Sequence, residues 1–98
     1  MYNLDANHRD IVEAFRQCAC NVAELAKSKS DVPGLPDLLI GIPDPVCRRF
    51  QLVLVEVKTP EGRLSADQRR FFLDWVDYPV HVVRSIDDVV RVIRQYRE

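Results

Sequence analysis

Two charged residues close the most apolar segment of the chain. Phe50 to Lys58 reads FQLVLVEVK, a strand by its β-branched and aromatic content and its flanking turns. Side chains two apart on a strand share a face, so Glu56 and Lys58 project together while Val57 points the other way. Leu52 and Leu54 precede them on that face, which sets two charges at the rim of an apolar surface. Charges are seldom buried unless paired or bound to a metal. An isolated Glu-x-Lys is ordinarily a strand end emerging into solvent, and Asp37 alters that reading. Asp37 follows Pro36, opens a second short apolar strand and stands 19 residues before Glu56. If the two strands form a hairpin, both carboxylates meet at one end of a sheet. Close carboxylates repel and raise each other's pKa unless a cation intervenes. A hard divalent ion suits such oxygen ligands, and Mg²⁺ typically takes one or two carboxylates together with waters and phosphate oxygens. A neighbouring Lys can contact a scissile phosphate or orient the attacking water. That combination fits phosphodiester hydrolysis.

The elements that must position these groups alternate along the chain. Residues 8–20 form an amphipathic helix with Ile11, Phe15, Cys18 and Val22 on its stripe and Asn7 as N-cap. The periodicity can run on to Leu25 and Ala26; closure near Asn21 in a left-handed conformation, followed by a short strand over 22–27, is the preferred reading. A turn-rich stretch, Ser28 to Pro36, leads to the strand Asp37 to Gly41. Pro43-Asp44-Pro45 forms the connection to Phe50–Lys58. Thr59 to Arg63 is a loop, Ser65 and Gln68 make a capping box, and a helix follows to about Val76. Val80 to Arg84 is a strand, with His81 on its more polar face. Ser85 caps a last helix over 86–97. The order α-β-β-β-α-β-α predicts an α/β fold, a central mixed sheet flanked by helices and covered on both faces.

Composition bounds the function. A chain of 98 residues is expected to be one domain, 1–98. Three cysteines cannot all pair, which favours a reducing, cytoplasmic setting. Cys18 and Cys20 lie too far apart around a helix to chelate zinc together. The start carries no signal-peptide pattern, no apolar run spans a membrane, and no Gly-rich loop is present to bind a nucleotide cofactor. The net charge of −1 excludes binding of nucleic acid through bulk charge alone. Eleven of the fourteen cations are Arg, whose planar fork suits phosphate. Lys29, Arg63, Arg69 and Arg70 flank the proposed cleft in sequence and are candidate DNA-phosphate contacts. Phe71, Phe72, Trp75 and Tyr78 exceed what the core needs from one short helix, and the excess suits a subunit contact.

In this order and spacing, Gly34-Leu35-Pro36-Asp37, Val55-Glu56-Val57-Lys58-Thr59-Pro60 and Gly62-Arg63-Leu64-Ser65 with Gln68 resemble the virus-type replication-repair nuclease (VRR-NUC) domain of the PD-(D/E)xK nuclease superfamily. The likeness runs from about residue 10 to 93. It implies a restriction-endonuclease-like core and Mg²⁺- or Mn²⁺-dependent cleavage of DNA that leaves 5′-phosphate and 3′-hydroxyl ends. Asp37, Glu56 and the Val57 carbonyl would bind the ion, Lys58 would sit beside the attacking water, and Gln68 would support the site. The resemblance also implies an acid from the first helix. Glu13 is the candidate, although it lies opposite the apolar stripe. Free-standing members of the family make a homodimer cutting four-way (Holliday) junctions the expected form, because two-fold symmetry suits a branched substrate. The alternatives are a nuclease acting on flap, single-stranded or other nucleic-acid substrates, restriction-like or RNA-directed ones included, or a non-catalytic DNA-binding or interaction module of the same fold.

Overall fold

The computed structural model describes residues 4–97; residues 1–3, where the chain's start was read, lie outside them. The elements run α1 (Leu4–Gln17), β1 (Asn21–Glu24), a 3-10 turn (Ala26–Ser28), β2 (Leu38–Asp44), β3 (Arg49–Val57), α2 (Ala66–Asp74), β4 (Val80–Val83) and α3 (Ile86–Tyr96). One mixed sheet has the order β1-β2-β3-β4. The first two pairings are antiparallel, and β4 runs parallel to β3 after the α2 crossover.

Strand alternation decides what is covered. Leu38, Ile40 and Ile42 of β2 and Val53, Val55 and Val57 of β3 lie on one face and are buried beneath α1 and α3. Ile11, Val12 and Phe15 of α1 meet Val89, Val92 and Ile93 of α3 in the same core, each set at helical spacing. On the opposite face the expected cover is incomplete. Leu39, Leu52 and Leu54 border a shallow apolar cleft with Trp75, Tyr78 and Pro79. α2 is only nine residues long and reaches that face at one end of the sheet.

Several local expectations change. α1 begins at Leu4, so Asn7 is not its N-cap. Instead the Asn7 amide donates to the carbonyls of Lys58 (2.9 Å) and Arg84 (3.3 Å), tying α1 to the ends of β3 and β4. α1 closes before Asn21: Ala19 takes the left-handed conformation (φ 64°), while Cys20 N–H returns to Phe15 O and Ala19 N–H to Arg16 O. This double closure is the Schellman pattern. The non-Gly backbone is held there by Cys20, which enters the core. Cys20 is therefore outside the helix, so the helical-angle argument against a shared zinc does not apply; none of the three cysteines is in a disulfide.

β2 continues through Pro43 to Asp44, where a connection was expected. β1 pairs only with residues 38–41, so Pro43 has no neighbour strand on that side and its missing N–H costs nothing in the ladder. Asp44 ends the strand by accepting from the backbone N–H groups of Val46 and Cys47. His81 shares a face with buried Val83 rather than a polar one. Its Nε2 lies 2.6 Å from the Tyr96 hydroxyl, and burial pushes its pKa down.

Candidate active site

The β2–β3 hairpin aligns Leu38 with Val55, which brings Asp37 alongside Glu56. Asp37 Oδ2 accepts from the Val57 backbone N–H at 2.8 Å, so the first carboxylate is fixed by the strand that carries the second. Val57 thereby contributes its N–H to Asp37 while its side chain enters the core. Glu56 is 2% exposed. Its Oε2 accepts from the Gln68 amide at 3.1 Å and lies 3.7 Å from Lys58 Nζ, whereas its Oε1 is buried without a hydrogen bond among the described residues.

Gln68 serves two ends at once. Its Oε1 accepts from the Ser65 backbone N–H (2.8 Å), and its own N–H donates to the Ser65 hydroxyl (3.2 Å), closing the expected capping box. The side-chain NH₂ that remains is free to hold Glu56. The start of α2 is set against the hairpin by Gly34. This residue adopts φ 79°, and a Cβ there would stand 2.2 Å from the Asp67 carbonyl oxygen. Only glycine satisfies both conditions. The glycine of Gly34-Leu35-Pro36-Asp37 thus delivers Asp37 and Gln68 to the same cleft.

That cleft, about 390 Å³, is lined by Leu4, Asp5, His8, Ala26, Lys29, Asp37, Glu56, Val57, Lys58 and Gln68. The core set of the sequence reading therefore converges: Asp37, Glu56, Val57, Lys58 and Gln68. Glu13 does not join it. It is exposed in the adjoining groove on the other side of His8, beside Arg9, Arg16 and Glu24, and accepts weakly from Gln17. The acid that α1 presents to the cleft is Asp5, eight residues earlier and so about 12 Å back along the axis. The same register brings in His8, whose Nε2 lies 2.7 Å from Glu24 Oε1. Asp5 and His8 share a helical face by their spacing of three, a signal present in the sequence once the helix is begun early enough.

The basic candidates divide. Lys29 enters the cleft, with Nζ 2.5 Å from Asp37 Oδ1 and 3.8 Å from Glu56 Oε1. Arg63, Arg69 and Arg70 remain exposed outside it. Arg69 donates to the Leu64 carbonyl and Arg70 pairs with Asp74. Arg84, passed over in the sequence, donates to the carbonyls of Thr59 and Gly62 and so shapes the loop that follows Lys58.

Electrostatically the cleft is dominated by Glu56, whose pKa is raised to about 7. Loss of hydration is the principal cause and the Asp37 charge adds to it; Lys29 and Lys58 oppose both. Among the described residues Glu56 Oε1 has no hydrogen bond, and it faces, at 3.8 Å, the Lys29 ammonium that stands between the two carboxylates. This donor set, hard oxygens around a position already held by a cation, fits a divalent ion.

A buried glutamate beside a half-buried aspartate at a hairpin end, a lysine two residues on and a capped helix pressed against them define an α/β domain with a charged cleft. The family model of the VRR-NUC domain matches residues 2–85, and the chain belongs to that family. Membership implies a nuclease-type function with DNA as partner. No curated protein and no solved structure matches the chain. Among the described residues no helix is long and apolar enough to cross a membrane.

Proposed function

We propose that the protein is a Mg²⁺-dependent, structure-selective DNA endonuclease that acts as a homodimer on four-way junctions. The observation that carries this reading is the convergence of Asp37 and Glu56 on one cation position, with Lys58 Nζ 3.7 Å from the second acid. Asp37, Glu56 and the Val57 carbonyl would hold Mg²⁺ or Mn²⁺. The ion supplies a Lewis acid for the phosphate and an acidified water.

The chain's own residues do the remainder. Gln68 and the Val57 N–H keep the two carboxylates from rotating away, a preorganisation that lowers the reorganisation needed during reaction. Asn7 fixes the Lys58 backbone, so that the ammonium approaches from a set direction. Lys58 then contacts the scissile phosphate or orients the attacking water. Water oxygen joins phosphorus, the bond to the 3′ oxygen breaks, and 5′-phosphate and 3′-hydroxyl ends result.

The dimer reading is supported by the open sheet face, where Leu52 is 63% and Phe50 81% exposed. Apolar surface shared by several elements on a domain of this size suits association. Symmetric pairing would present two clefts to a symmetric junction.

Labelled junction, flap, duplex and single-stranded substrates, each with Mg²⁺ or Mn²⁺, test the activity and the preference together. Junction nicking is expected to dominate. Asp37→Ala and Lys58→Ala should each abolish cutting while retaining junction binding by mobility shift. Undiminished nicking by the Asp37 variant would remove the assignment.

A further inference from the structure

Lys29 meets both carboxylates of the cleft from a segment that belongs to neither strand. It lies just after the 3-10 turn, on the way to Gly34. Lys58 approaches Glu56 at Oε2, whereas Lys29 faces Oε1, the oxygen with no hydrogen bond among the described residues. Its contacts are unequal, 2.5 Å to Asp37 and 3.8 Å to Glu56. An ammonium donates along discrete N–H directions, and here it serves Asp37 at the expense of Glu56. A divalent ion is smaller and binds hard oxygens at shorter range, so it matches two carboxylates better than this ammonium does. Two cations cannot share the gap, because their repulsion at such separation is large. The Lys29 side chain is 32% exposed on a flexible stem, so it can withdraw to the cleft mouth without crossing the core.

We propose that Lys29 is the internal counter-ion of the metal-free site: its ammonium holds Asp37 and Glu56 together, and a divalent ion must displace it in order to bind. This rests on the metal-dependent reading given above. It assigns Lys29 a positioning role distinct from a plain phosphate contact, and it makes metal affinity a competition within the chain. A lysine that merely neutralised DNA would leave metal-free accessibility and metal affinity untouched.

The test uses the full chain and reads the ammonium directly. Amines are acetylated with and without Ca²⁺ or Mg²⁺, and modification of Lys29 is measured by peptide mass against exposed Lys27 as internal reference. Lys29 should be protected in chelator and should label at least about fivefold faster with metal, the scale of one partly exposed ion pair. In parallel, Mn²⁺ is titrated calorimetrically. Lys29→Met should bind it about fivefold more tightly than the wild type, and Lys29→Arg, which keeps the charge, should not. Metal binding by the wild type without faster Lys29 labelling overturns the inference alone. So does unchanged or weaker Mn²⁺ affinity in a folded Lys29→Met variant. If the wild type binds neither Mn²⁺ nor Mg²⁺, the metal-dependent reading falls and this inference falls with it.

Discussion

The two faces of β3 use the same kind of residue for different ends. Val53, Val55 and Val57 are 2% exposed or less beneath α1 and α3, whereas Phe50 and Leu52, on the alternate positions, stand in the open. Further along that open face the apolar series ends in Glu56 and Lys58; Gln68 donates to Glu56, and Lys29 and Lys58 stand 3.8 Å and 3.7 Å from it. The covered face therefore carries the stability and the other face carries the site. Burying a carboxylate such as Glu56 costs folding free energy, which only a well-packed opposite face can offset. A strand buried equally on both sides would leave no route by which a phosphate could reach its last residues.

The largest expected effect falls on the covered face. Ile40 is fully buried in β2 between both helices and β3. Ile40→Ala should destabilise the fold by about 2–5 kcal/mol, measured by urea denaturation, with the magnitude set by how far the core collapses. A loss below about 1 kcal/mol would mean that this face is not the one that holds the molecule together.

Next in size is a pH effect at the end of the other face. The folded pKa of Glu56 is raised to about 7, above the ordinary 4.5 expected of the unfolded chain. Below pH 4.5 both states hold the proton and the group makes no difference. Between 4.5 and 7 the folded state retains a proton that the unfolded state has lost, so stability falls as pH rises; above 7 the full penalty is present. The shift corresponds to about 3 kcal/mol. Asp37 sharpens it, while Lys29 and Lys58 moderate it. In chelator-containing buffer, wild-type stability should decline across that window, and Glu56→Gln should flatten the decline while keeping an oxygen for Gln68. Equal slopes in the two proteins would place the titration elsewhere.

These two effects were unequally visible in the sequence. The hairpin site was legible because its signals are local and chemically unusual: an acid after a proline, Glu-x-Lys after an apolar run, and a serine–glutamine box one loop later. The element order and the mixed sheet follow from periodicities that the core confirms. The open face was missed because alternation shows which residues share a side and is silent on whether anything covers it. Glu13 is the first-helix acid that the family likeness suggests, and Asp5 is not weighed there because a helix begun at residue 8 leaves out the turn that enters the cleft. Lys29 was identified as a basic candidate, but its place between two acids depends on a loop path set by Gly34 and the neck of α2, contacts with no sequence period. Asn7 has the composition of a cap and the position of a clamp; only tertiary packing separates the two.

The smallest expected stability effect is the sharpest probe of the contrast. Leu52 lies on β3 between the exposed Phe50 and the cleft-lining Leu54, 63% exposed, with Trp75 and Tyr78 beside it. Because little of it is removed from water in the single chain, Leu52→Ser should change monomer stability by no more than about 0.5 kcal/mol. In a dimer formed across this face the same leucine would be desolvated at the interface centre, where one truncated side chain costs more than about 1 kcal/mol. Light scattering over a dilution series should then show the variant dissociating at concentrations where the wild type remains paired, with Mn²⁺ binding unaltered. A wild-type dimer that tolerates Leu52→Ser would move the interface off this face, and a variant as unstable as Ile40→Ala would erase the distinction between the two sides of the strand.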